Sequence, residues 1–102
     1  MVTFMPLYTF ILEYAGGTYI SQINASSPNS ACVKWARSLE VSQVSGLDLK
    51  GKESLVKQLE EEEPDPLDGL VNAWCASALV QDELALINLV QTERGEDNRE
   101  GY

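Results

Sequence analysis

Residues 7–39 read LYTFILEYAGGTYISQINASSPNSACVKWARSL, and this stretch decides the fold. Tyr8, Phe10, Leu12 and Tyr14 alternate with Thr9, Ile11 and Glu13. A period of two in aromatic and branched residues marks a strand, because successive side chains point to opposite faces of a sheet. Gly16-Gly17 follows, and glycine takes the positive φ of a tight hairpin without steric cost. Thr18 to Ala25 resumes strand composition with Tyr19, Ile20 and Ile23 as its apolar members. Ser27 is placed to cap a helix and Pro28 to occupy its first position, where a missing N–H costs nothing. Cys32, Trp35, Ala36 and Leu39 then recur at i, i+3, i+4 and i+7, one face of that helix.

Working outward from this unit, Met1 to Pro6 is a short lead-in and Ser42 to Leu49 a connector in which Asp48 is set to cap a second helix. Leu55, Val56 and Leu59 give the segment Lys52–Glu62 a narrow apolar stripe, so this helix belongs at the margin of the core. It runs into Glu60-Glu61-Glu62-Glu63 and Pro64-Asp65-Pro66, where the prolines stop it and set an extended acidic loop. Leu70 to Gln91 reads as a second hairpin turning at Val80-Gln81-Asp82-Glu83. The expected architecture is one α+β domain over residues 1–92, of order β-β-α-α-β-β. Its four strands form one antiparallel sheet with both helices on one face. Residues 93–102, charged and glycine-containing, are expected to form a disordered tail.

The residue inventory narrows the chemistry. The chain has no histidine, so the commonest general base and metal ligand is missing. Two cysteines, Cys32 and Cys75, without histidine do not make an ordinary zinc site, and buried reduced thiols are expected unless the helix packs over the strand that carries Cys75. No phosphate-binding loop or dinucleotide fingerprint appears, and the acidic loop lacks the spacing of a calcium-binding EF-hand. Glu13 and the acids of residues 60–68 show no apolar surroundings that would tune them as an acid–base pair. No enzymatic activity and no cofactor or metal are therefore expected. With 16 acidic and 7 basic residues the formal charge is −9, which disfavours nucleic acid. No run approaches the roughly 18 apolar residues of a membrane span, and the apolar start lacks a basic leader segment. The expected setting is the bacterial cytoplasm.

Large apolar residues lie on both sides of the first and last strands, whereas a sheet covered on one side should be polar on the other. Leu7, Ile11, Ile87 and Leu89 are the expected contact residues of an open face, pointing to a homodimer through that face or an edge strand. Glu60, Glu61, Glu62, Glu63, Asp65 and Asp68 hold six of the 16 acids in nine positions and are the candidate docking patch for a basic partner. The expected function is thus a non-enzymatic protein–protein interaction module, an adaptor or antagonist of a basic protein. The alternative is a small-molecule-binding domain with an apolar pocket between sheet and helices, walled by Tyr8, Tyr14, Tyr19, Trp35 or Trp74.

The succession of strand, glycine turn, strand and capped helix over residues 7–39 resembles the opening of HicB-type antitoxins of bacterial toxin–antitoxin pairs. The resemblance is topological. The third strand that those proteins place before the helix is missing, and no functional residue is carried over from it.

Overall fold

The computed structural model describes residues 5–93. Strands β1 (Leu7–Tyr14) and β2 (Gly17–Asn24) are followed by helix α1 (Pro28–Ser38), a short 3-10 turn at Val41–Gln43, and helix α2 (Leu49–Glu61). Then come β3 (Asp65–Pro66), β4 (Ala73–Val80) and β5 (Glu83–Glu93). The protein is α+β, with two helices and one antiparallel sheet of order β2-β1-β5-β4-β3. Among the described residues no helix is long and apolar enough to cross a membrane.

The helix starts form as the sequence dictates. The Ser27 hydroxyl accepts from the Ser30 amide at 3.2 Å with Pro28 at the first position of α1. The Asp48 carboxylate accepts from the Gly51 amide at 2.8 Å and starts α2. The first hairpin differs by one residue from the expected Gly16-Gly17 turn. Its loop is Ala15-Gly16, both at positive φ, while Gly17 opens β2 opposite Tyr14. The second loop, Gln81-Asp82, is also a pair at positive φ. Positive φ at both central residues is the mark of the type I′ turn, whose twist matches that of the flanking strands.

One side of the sheet is covered by the helices and holds the core. Leu12 lies opposite Ile87 and Phe10 opposite Leu89, so the even-numbered residues of β1 and the odd-numbered residues of β5 share this inner face. Trp35 of α1 stacks on Phe10 with centroids 4.8 Å apart and planes 5° apart. Trp74 meets Tyr8 edge-on at 5.9 Å. The Trp35 indole donates to Ser21 Oγ, and the Tyr14 hydroxyl donates to the Val80 carbonyl at 3.0 Å, so these amphipathic rings are buried with their polar atoms paired.

The four-strand expectation is corrected to five. The added strand is Asp65-Pro66, inside the stretch read as a free acidic loop. Two residues with a proline carry no strand signal, yet the sheet edge accepts them. The Asp65–Cys75 pairing uses the outward amide and carbonyl of Cys75, whereas Trp74, opposite Pro66, directs its own backbone groups toward β5. The missing N–H of Pro66 therefore costs nothing. The second hairpin also starts later than Leu70, because Gly69 and Asn72 take positive φ and turn the chain before Ala73. β5 continues to Glu93. Residues 94–102 of the expected tail, and residues 1–4 of the lead-in, lie outside the described residues.

Candidate functional site

The surface with the most unexplained apolar area is the side of the sheet that the helices leave open. Cross-strand register writes its rows. One row crosses β2, β1, β5, β4 and β3 as Ile20, Ile11, Asn88, Cys75 and Asp65. Its neighbour toward the hairpin loops is Thr18, Glu13, Leu86 and Ser77, and beyond that Leu84 faces Leu79. On the other side Gln22, Thr9, Val90 and Ala73 form a row. Ile20 is 68% exposed, Leu79 61%, Leu84 56% and Leu86 43%. Glu13 and Asp65 are the charged members of these rows. A solvated antiparallel face is ordinarily polar, so exposed leucine and isoleucine spread from the β2 edge to the loop end of β4 and β5 mark an interaction surface.

This geometry corrects the expected contact set. Leu7 and Ile11 do lie on the open side, but Ile87 and Leu89 are buried beneath the helices, at 1% and 0% exposure. The β5 residues that share the open face are Leu84, Leu86 and Val90. The sequence carried a signal for this phase: Asn88 falls in the row of Leu86 and Val90, while the row of Ala85, Ile87 and Leu89 has no polar member.

All six residues of the expected acidic patch are exposed, but they do not form one loop. Glu60 and Glu61 end α2, and Glu60 pairs with Arg37 of α1 at 2.6 Å. Glu62 and Glu63 lead down to Pro64, which is buried and pins the segment. Asp65 sits in β3 on the open side, and Asp68 follows in a turn. The acids thus run from the helix layer down the β3 edge and border the apolar face. The basic residues segregate the other way. Among the described residues they are Lys34, Arg37, Lys50, Lys52 and Lys57, all on the two helices.

The interior offers a ligand little room. The space among Leu12, Tyr14, Val44, Leu47 and Leu55 is about 10 Å³, at the limit for a single water. Tyr8, Tyr14 and Trp35, expected as walls of a pocket, are packed in the core. Recesses also lie open at the surface of the described residues. One, of about 650 Å³, runs between Arg37 of α1 and Leu49, Lys52, Glu53 and Val56 of α2. Another, of about 400 Å³, lies at the hairpin ends beside Glu13, Glu83 and Leu86. Among the described residues no group of three cysteine, aspartate or glutamate side chains converges to hold a metal. Cys32 and Cys75 are both free, because Cys32 is buried under α1 on the inner side and Cys75 lies on the open side. Burial pushes the Cys32 thiol up to about 12, so it is no nucleophile at neutral pH.

No family model, no curated protein and no solved structure matches this chain.

What the arrangement of the described residues offers chemically is contact: an apolar sheet face, an acidic margin along one edge, and basic groups in the opposite layer.

Proposed function

We propose that the protein is a non-enzymatic interaction module, an adaptor or antagonist that binds a basic protein through the open face of its sheet. The observation that carries this reading is the exposed cluster Ile20, Leu79, Leu84 and Leu86 on a face that no element of the described chain covers. The partner's contact surface is apolar at its centre and basic at its rim, matching the border of Asp65, Asp68 and Glu13. Among the described residues no lysine or arginine lies on the open side, so such a partner meets no like charge from them there. The acids steer the encounter and the apolar centre holds the complex, a division in which rim charges act chiefly on the association rate.

The test uses the untagged protein against the complex captured from its own host. Leu79→Lys and Leu84→Lys place charge on the facing exposed pair at the loop end of β4 and β5 and are expected to weaken binding at least tenfold. Neutralising Asp65 and Asp68 to asparagine is expected to slow association and flatten its salt dependence while dissociation stays near wild type. Binding by both leucine variants at wild-type strength refutes the reading.

A further inference from the structure

We propose that β2 pairs with β2 of a second copy, antiparallel about a two-fold axis, to join two five-stranded sheets into one. The contact lies on the β2 edge and shares Ile20 with the open face, so a variant of the face alone, Leu84→Lys, separates the two readings.

The two edges of the sheet expose different backbone groups. The two-residue loop makes Tyr14 and Gly17 a hydrogen-bonded pair, and the bond from the Ala25 amide to the Pro6 carbonyl at 3.1 Å keeps the same alternation at the far end. Gly17, Tyr19, Ser21 and Ile23 therefore turn their backbone groups toward β1. Thr18, Ile20, Gln22 and Asn24 turn theirs outward. Lys34 Nζ occupies the Asn24 carbonyl at 2.7 Å. For Thr18, Ile20 and Gln22 no partner exists among the described residues.

The other edge is treated in the opposite way. The outward groups of β4 belong to Ala73, Cys75, Ser77 and Leu79. Cys75 pairs with β3, and the Ala73 carbonyl accepts from the Leu67 amide at 3.0 Å. The Gln58 side-chain amide of α2 meets both backbone groups of Leu79, donating to its carbonyl at 2.8 Å and accepting from its amide at 3.1 Å. Proline, acidic residues and a capping side chain are the devices by which sheets refuse further strands. Over Thr18, Ile20 and Gln22 β2 has none of them, and the Lys34 contact touches only its last residue, Asn24. The strand is eight residues long, carries no charge and no proline, and is rich in threonine, tyrosine and isoleucine.

Three features select a second copy as the occupant. First, in a chain of formal charge −9, an uncharged edge lets identical molecules approach without opposing carboxylates. Second, the free groups are symmetric about Ile20. A two-fold axis normal to the sheet keeps side chains on their own faces, so it pairs residues of equal parity. Ile20 then faces Ile20 of its copy and Thr18 faces Gln22, each pair exchanging its outward amides and carbonyls. A pairing centred on Ser21 needs the Asn24 carbonyl that Lys34 already holds. Third, on the β4 edge Ser77 alone keeps both outward groups free among the described residues, flanked by β3 and by the Gln58 cap, which is too little for head-to-tail addition, so association closes at two copies and does not run on into a filament.

The full chain in sedimentation velocity at high micromolar concentration is expected to show twice 11.3 kDa, and Ile20→Lys is expected to return it to 11.3 kDa. Leu84→Lys, on the open face, leaves the dimer intact. Register is read by cross-linking in a Cys75→Ser background, where the remaining Cys32 is buried. Hydrogen-bonded partners have Cα atoms about 5.5 Å apart, within disulfide range, so Ile20→Cys oxidises to a covalent dimer. Thr18→Cys does not, because its counterpart lies four residues along, roughly 14 Å away. A monomeric wild type overturns the proposal and leaves the edge to a strand of another protein. A dimer that survives Ile20→Lys but fails with Leu84→Lys overturns it in favour of the face, and equal cross-linking of both cysteine variants overturns the register.

Discussion

Ala15 and Asp82 hold the left-handed backbone of the two hairpin loops, at φ +49° and +66°, where a β-carbon is disfavoured. That conformation costs an L-residue roughly 1–2 kcal/mol, which asparagine reduces and glycine removes. Ala15→Asn and Asp82→Gly create the Asn-Gly and Xaa-Gly pairs that type I′ turns prefer. Each is expected to stabilise the fold by about 0.5–1 kcal/mol, read as a rise of a few degrees in Tm. A fall in Tm for both counts against the turn assignment. Gln81 is left unchanged because its side-chain oxygen accepts from the Asp48 amide at 3.1 Å, tying the second loop to the start of α2. Cys32 makes a prediction in pH. Its native thiol is pushed up to about 12 by burial from a reference value of 9.0, so the native state holds the proton more tightly than the unfolded chain. The resulting stability is fully present below pH 9 and is lost as pH rises toward about 12. Tyr8 and Tyr14, raised chiefly by burial, act in the same direction at higher pH. Urea unfolding at neutral pH and at about pH 10.5 is expected to show a smaller alkaline loss for Cys32→Ala than for wild type, even though the cavity lowers the variant's stability at both. Equal alkaline losses would show that the buried thiol is not the group that titrates.

At the scale of elements, Gln58 is the clearest case of one side chain serving two structures. It sits in the last turn of α2 and caps both backbone groups of Leu79, so the helix closes the loop end of the β4 edge, which β3 is too short to reach. Gln58→Ala gains slightly in helix propensity but loses both bonds, and a net destabilisation of about 1–2 kcal/mol is expected. Amide exchange at Leu79 should accelerate more than at Leu55 in the same molecule. Uniform acceleration would mean that the variant loosens the whole fold and that the cap is not local. The elements differ in how far they were legible in advance. The first hairpin, both helix caps and the turn at Gln81-Asp82 follow from residue types that act within a few positions. β3 does not, because Asp65-Pro66 forms a strand only by borrowing the outward groups of Cys75, a long-range pairing that leaves no local trace. The assignment of Ile87 and Leu89 to the open side failed for a related reason. Both rows of β5 are largely apolar, so Asn88 is a single polar mark on the outer row, and the register against Phe10 and Leu12 settles which row the helices cover. The acids of the candidate patch were visible as a run, but that Pro64 is buried and Asp65 stands beside an apolar face came only with the fold.

Taken whole, the molecule is two-sided. Its helical layer carries the basic residues among those described and its open layer carries exposed isoleucine and leucine, with acids along the β3 edge. Such a body has two ways to associate, edge to edge through β2 or face to face over the sheet, and Cys75 distinguishes them. It is part-exposed in the row of Ile20, Ile11 and Asn88, on β4, three strands from the β2 edge. Strands lie about 4.8 Å apart, so β2 pairing leaves the thiol roughly 14 Å from the new contact, whereas a partner seated on the face covers it. In the native protein a thiol reagent is expected to label Cys75 alone, with Cys32 reacting only after unfolding. Concentrating the protein into its dimer should then leave the Cys75 rate unchanged, and adding the captured partner should slow it severalfold. If concentration alone protects Cys75, two copies are meeting through their open faces. The surface assigned to a partner is then filled by the protein itself, and β2 remains a free edge.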